Sequence, residues 1–296
     1  MWAERYDRDL SDIFAIQDEL TRRIVTELEV ALSSGEQARV WQRSTGNVQA
    51  YEHMLRGREE LRSGTSEANT VARQCFERAV EADPDFAFAH TLLGWTHWAD
   101  ARASWSPSPE DSLAHAAALA DKALALDAGQ ADAGALRGMV CLIQQRYEEA
   151  VAAAERAIAE GASAAGPVMW AGQIFTFSGR PEVGLALLQK ASRLSPLPPP
   201  HYFNVLRNCY RMLGRNEDAI DAYRRGLQEA PHTVNGLVGL ALVLARAGRN
   251  AEARAAVAEA RRLQPDVTRA TWSRLAGVDR EMTRRDLDDL ERLGLR

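Results

Sequence analysis

Residues Ala131–Ala162 read ADAGALRGMVCLIQQRYEEAVAAAERAIAEGA, two short helical patterns joined by a polar turn at Gln145, Arg146 and Tyr147. Gly138, in the first pattern, is small enough to let two helices cross closely. In the second, Ala150, Ala154 and Ala157 recur three or four residues apart, which puts them on one narrow helix face. The next unit, ending at Pro196, repeats the pattern 34 residues on, with Gly172, Gly179, Leu188 and Ala191. A hairpin of this size cannot bury its own apolar face, so its stability must come from stacking on its neighbours.

The same unit extends in both directions. Asn47–Pro84 carries Tyr51, Leu55, Gly57 and Leu61, then Ala72, Phe76 and Ala79, and Asn47 is placed to cap the first helix. The second unit, about 85–128, is longer by the ten residues ARASWSPSPE at 101–110. These are expected to lengthen its first helix before a Ser/Pro turn, with Trp105 pinned against its own repeat. Units five and six follow, with Tyr202, Gly214, Ala219, Tyr223 and Pro231, then Leu240, Gly248, Ala253, Val257 and Pro265. Gly179, Gly214 and Gly248 fall in the inter-helix turns, where a positive φ is expected. Residues 266–296 suit two charged capping helices. Residues 1–46 predict an amphipathic helix and a polar linker.

A helical hairpin repeated every 34 residues is the mark of the tetratricopeptide repeat, and residues 47–265 resemble that family. The resemblance implies an all-α, right-handed superhelical solenoid of about six repeats, plus an N-terminal helix and a C-terminal capping pair. In that family the second, fifth, ninth and twelfth positions of each first helix line a concave wall. Aligning the turns assigns Met54 and Arg58 to it in repeat one, and Thr91, Trp95 and Trp98 in repeat two. Repeat three supplies Asp132, Ala135, Met139 and Leu142; repeat four supplies Met169, Gln173 and Thr176. His201, Asn204, Asn208 and Arg211 follow in repeat five, and Asn235, Val238 and Leu242 in repeat six. The eight chosen as the groove are Arg58, Trp95, Trp98, Met139, Gln173, Asn204, Asn208 and Arg211. Asn204 and Asn208 are suited to a peptide backbone, Arg211 to an acid, and Trp95, Trp98 and Met139 to an apolar side chain.

Composition narrows the function classes. Charged residues make up 26% of the chain and the net charge is −5, with the two signs interspersed, so nothing suggests a nucleic-acid stripe. All but two of the 36 basic residues are arginine, the exceptions being Lys122 and Lys190. No apolar run is long enough to cross a bilayer. Cys75, Cys141 and Cys209 lie in different repeats without metal-ligand spacing and are expected to be free thiols in a reducing compartment, the cytoplasm. No phosphate-binding glycine motif occurs. His90 and His97 share one helix but no third ligand lies near them in sequence. No catalytic residue, metal or cofactor is expected, and the chain is read as a non-enzyme.

A more specific resemblance rests on WAERYDRDLSDIFAIQDELTRRIVTELEVAL at 2–32, YEHMLRGREEL at 51–61, ARASW at 101–105 and DLDDLERLGL at 286–295. Together these resemble the C-terminal part of bacterial multidomain proteins related to class III adenylate cyclases, some of which carry a winged-helix domain instead. A TolB-like segment precedes the repeats in both, and residues 1–33 are similar to its last strand and helix. The resemblance implies a regulatory or scaffolding role towards an output domain upstream, and it does not transfer catalysis. The partner is expected to be a protein or peptide. The alternative is self-association, with the N-terminal helix or C-terminal cap building a homodimer or filling the groove.

Overall fold

The computed structural model describes residues 45–61, 64–103, 105–195, 200–229, 234–265, 267–268 and 280–295, with the backbone alone at 200, 201, 229, 235 and 280–283. The expected N-terminal helix and the first half of the C-terminal cap lie outside these residues. Thirteen helices are described, all joined by turns or loops. They are α1 (Val48–Glu60), α2 (Ser66–Ala82), α3 (Ala87–Ala103), α4 (Pro109–Leu126), α5 (Ala131–Ile143), α6 (Tyr147–Glu160) and α7 (Ala165–Phe177). After these come α8 (Pro181–Leu194), α9 (Pro200–Met212), α10 (Asn216–Glu229), α11 (Val234–Arg246), α12 (Asn250–Leu263) and α13 (Arg280–Arg292). The first twelve form six antiparallel hairpins, each odd-numbered helix packing on the even-numbered one after it. Each even-numbered helix then packs on the next odd-numbered one, and α3, α5, α7 and α9 also touch in succession. The result is a tetratricopeptide-type superhelical solenoid.

Stacking depends on small residues. Ala150, Ala154 and Ala157 of α6 are completely buried, as are Ala116, Ala120 and Ala123 of α4. A Cβ on Gly138 would stand 2.7 Å from Ile174 Cδ1 of the next hairpin and 3.2 Å from the Ala150 carbonyl. Fully buried large side chains fill the remaining space, Phe76 and Leu188 between the two helices of a hairpin and Leu136, Ile174 and Tyr223 between neighbouring hairpins. Burying each is worth about 1.5–3 kcal/mol, and every one of these contacts needs a neighbouring helix.

Among the described residues, five helices end in the same cap. At Gly179 (φ 82°) the amide donates to the Thr176 carbonyl, and Arg180 N–H donates to Phe175 O at 2.9 Å. This pair of bonds is a Schellman cap, which uses a left-handed residue to satisfy the last carbonyls of the helix. It recurs at Gly214, Gly248 and Gly294. In repeat three the same φ and the same two bonds fall on Gln145 (φ 61°), where a Cβ makes that conformation costly. At the other end of the array Asn47 caps α1 by accepting from the amides of Gln49 and Ala50, and its Nδ2 donates to Ala82 O at 2.8 Å. One side chain thereby joins the start of α1 to the end of α2.

The ten-residue insertion lengthens the first helix of its repeat as expected, but its Ser/Pro turn, expected to cap the second helix, gives that helix no side-chain cap. It lengthens α3 to 17 residues, against 13 in each other first helix of a hairpin. Ser108 precedes α4 without a side-chain cap; Ser106 Oγ instead accepts from Ser108 N–H, and Pro109 starts the helix. Trp105 remains 37% exposed, so its own repeat holds it only partly.

Gly248→Val should cost about 1–2 kcal/mol and lower the melting temperature. Gln145→Gly should leave the melting temperature unchanged or raise it. An unchanged melting temperature for Gly248→Val would remove the argument.

Candidate inner-wall site

The inner surface of the solenoid is made by the first helices of the hairpins. At its centre a small recess of about 30 Å³ is lined by Trp98 and Arg102 of α3, Trp170 and Gln173 of α7, and Asn204, Val205 and Asn208 of α9. Second helices contribute nothing to it. Three tryptophans form its aromatic side. Trp95 stacks on Trp170 with centroids 4.6 Å apart, and Trp98 meets both edge-on at 5.3 and 5.6 Å. Met139, fully buried, packs in the same apolar cluster as Trp98. The contacts tie repeat two to repeat four across repeat three.

The polar side of the recess is amide-rich and only partly used. Asn208 Nδ2 donates to the Asn204 carbonyl at 2.8 Å, a bond one helical turn back that fixes its rotamer. The side chains of Gln173 and Asn204 are half-buried and make no hydrogen bond among the described residues. The Trp98 indole N–H is buried without an acceptor there. Buried donors are rarely left so, which makes this wall a place where an acceptor from outside the chain would be stabilising.

Four of the eight expected groove residues therefore line the recess, Trp98, Gln173, Asn204 and Asn208; Trp95 stacks on its Trp170, and Met139 shares the apolar cluster of Trp98. Arg58 stands exposed on α1 and is not part of the recess. Arg211 is engaged internally. Its guanidinium forms an ion pair with Asp286 of α13, both side chains being 1% exposed. Arg246 Nη2 reaches the same carboxylate at 2.7 Å and its Nε reaches Asp289 at 3.0 Å. Leu290 and Leu295 bury completely against α11 and α12. The acid that Arg211 was expected to meet thus comes from the chain's own C-terminal helix. Met54, Thr91, Ala135, Leu142, Met169, Thr176, Val238 and Leu242 are buried too. Close packing of neighbouring helices turns those positions into core. The His201 and Asn235 side chains lie outside the described residues.

Two participants escaped the register. Trp170 is one place out of phase with the wall positions, and Arg102 lies beyond the normal end of a first helix. A buried polar cluster between α2 and α3 also went unread. Asn69 Nδ2 donates to Asp100 Oδ1 at 2.7 Å and to Thr96 O at 2.9 Å, and Arg73 pairs with Asp100. His90 bonds Pro84 O at 2.8 Å, which gives it a structural role. His97 lies 5.2 Å from His115, and burial, then the charges of Arg73 and His115, lower its pKa to about 4. Burial raises the Cys141 and Cys209 thiols, which are free, as is the half-buried Cys75. Among the described residues no group of three or more His, Cys, Asp and Glu could hold a metal ion, and no helix is long and apolar enough to cross a membrane.

Comparison with known proteins agrees with this architecture. The tetratricopeptide-repeat family model matches residues 210–268. The chain is 35% identical over 150 residues, 51% of its length, to a protein provisionally named adenylate cyclase 3 from Rhizobium meliloti (strain 1021). The match spans 26% of that relative, about a quarter of its length. Among solved structures, the APC/C hetero-tetramer Cut9–Hcn1 is similar at a TM-score of 0.58 and 16% identity, over 90% of this chain and 54% of that one. A thermophilic tetratricopeptide-repeat protein from Thermus thermophilus is similar at 0.51 and 18% identity, over 66% and 98% respectively. These likenesses establish the fold. Tetratricopeptide-repeat proteins generally mediate protein–protein interactions, and their folds are mainly non-catalytic scaffolds.

Two measurements follow from these charges. Asp286→Ala would leave the Arg211 guanidinium buried without an anion, and loss of one partner from such a pair costs about 3–5 kcal/mol. Urea unfolding should shift to lower midpoint, and an unchanged midpoint would show that α13 is held by its leucines alone. The unfolded His97 takes up its proton near pH 6.5 and the folded one only near pH 4. Its contribution is therefore present above pH 6.5 and lost as the pH falls through that window. The melting temperature of His97→Gln should fall less than that of the wild type between pH 7 and 4; equal falls would contradict this.

Proposed function

We propose that this tetratricopeptide solenoid is a non-catalytic interaction module that binds a peptide or partner segment along its inner wall. Within a longer cytoplasmic protein related to adenylate cyclases, it would serve as the regulatory or scaffolding part. The observation that supports this most directly is the recess itself. The amides of Gln173 and Asn204, unpaired among the described residues, and the unsatisfied Trp98 N–H stand beside an aromatic cluster half open to solvent. A peptide supplies both things such a wall lacks, carbonyl acceptors for the donors and apolar side chains for the rings. Aromatic anchors ringed by amides are also where binding energy concentrates at protein interfaces.

The relative's name supports the regulatory context, since the matched stretch covers only a quarter of a protein named for cyclase activity. In that arrangement the repeats recruit or sense, and another domain carries the chemistry. Self-association through the C-terminal cap is the weaker reading, because Leu290, Leu295 and Asp286 of that helix are already buried against its own chain.

The test is selection of displayed 12-residue peptides on the wild-type chain. The selected peptides are then measured against a Trp95→Ala, Asn204→Ala, Asn208→Ala triple variant that retains its helical content. Loss of affinity by at least about tenfold is expected, since several contacts of about 1 kcal/mol are removed. Equal affinity for both proteins would remove the inner wall as the binding surface.

A further inference from the structure

The inner wall carries more positive charge than the described residues neutralise. Arg102 sits on the extra turn of α3, its guanidinium 5.4 Å from the centre of the Trp98 ring, and it has no carboxylate partner among the described residues. Arg207 of α9 is 8% exposed and lies over the Tyr223 ring at 4.7 Å; among the same residues its Nε has no hydrogen-bond acceptor, and it too lacks a carboxylate. Arg102 is open to solvent yet stands in a concavity dense with protein. Those surroundings first, and the Arg207 charge second, lower its pKa. Burial lowers that of Arg207, with the Arg211 charge acting in the same direction. Arg211 is the contrasting case. One turn further along α9, it is neutralised by Asp286, a side-chain carboxylate presented by a helix.

We infer that the recess beside Arg102 is an anion subsite that takes the side-chain carboxylate of an Asp or Glu on the partner segment. The inference rests on the inner wall being the binding surface. Three observations select a carboxylate. Arg102 and the Trp98 N–H are donors without acceptor capacity, and an ionised carboxylate only accepts. The cavity of about 30 Å³ has room for roughly two water-sized groups, the two oxygens of a carboxylate. The Arg211–Asp286 pair shows an arginine of α9, a helix that also lines the recess, already taking this group from a helical segment. The tryptophan cluster beside the subsite would then receive an apolar residue flanking the acid.

The experiment uses pools of amidated 12-residue peptides, randomised except for one central residue that is Glu in one pool and Gln in its twin. A third pool has the central Gln and a free C-terminal carboxylate. Each is passed over the immobilised full chain and the retained peptide is quantified. The Glu pool should be retained roughly tenfold better than its Gln twin, as expected for one charge-assisted contact. The preference should weaken as salt is raised. In R102Q, whose exposed side chain makes misfolding a small concern, the ratio should fall to within about twofold. Equal retention of Glu and Gln pools, or an unchanged ratio in R102Q, overturns the subsite while leaving the groove intact. Preferential retention of the free-carboxylate pool overturns the side-chain assignment in favour of a chain end. Failure of the wild type to retain any pool overturns the groove reading as well.

Discussion

The contact on which the molecule depends is the close approach of helices at alanine and glycine faces, within each hairpin and between it and the next. Ala150 and Ala154 have no exposure, and Gly138 leaves no space for a methyl group beside Ile174. Each face is covered in part by its own hairpin, where Gly134 and Gly138 of α5 meet Ala157, Ala153 and Ala150 of α6, and is completed by the next hairpin through Ile174. Close approach has a geometric consequence. It sets α3, α5, α7 and α9 side by side, and their free sides become a continuous surface without any residue being selected to make one. Architecture and candidate site therefore share one cause.

The departure from regular stacking has the largest effect on that surface. Ten additional residues make α3 a turn longer than the other first helices. Arg102, on that added turn, thereby shares a recess with residues of α7 and α9, beside the packed tryptophans of repeats two and four. The other end of the wall is closed by different means. There α13 lays Asp286 between Arg211 and Arg246, and Leu290 covers the last apolar hairpin. The centre of the wall thus keeps its unpaired donors while the C-terminal end is neutralised.

Much of this was legible from residues alone, for a physical reason. Glycine at 179, 214 and 248 reports a left-handed backbone, alanine at a three- or four-residue spacing reports a packed helix face, and Asn47 reports an unsatisfied helix start. Each signal is local, so one sequence suffices to read it. What failed was non-local. Arg211 reads as a free cation until Asp286, 75 residues away, is brought to it. The Asn69–Asp100–Arg73 network joins two helices whose polar residues look like solvated surface in isolation. Thr91, Ala135 and Val238 have the phase of wall residues, but the width of the gap between neighbouring helices decides their burial. Gln145 shows the reverse error of a local rule: its repeat keeps the turn geometry without the glycine that marks it elsewhere.

Dependence of each hairpin on its neighbours is the central claim, and circular dichroism of excised segments tests it most directly. Residues 131–164, a single hairpin, should be largely unfolded at room temperature and melt without a cooperative transition. Residues 131–229, three hairpins in register, should recover helical content and unfold cooperatively. A single hairpin that is as helical as the triple, with its own sharp transition, would contradict the account.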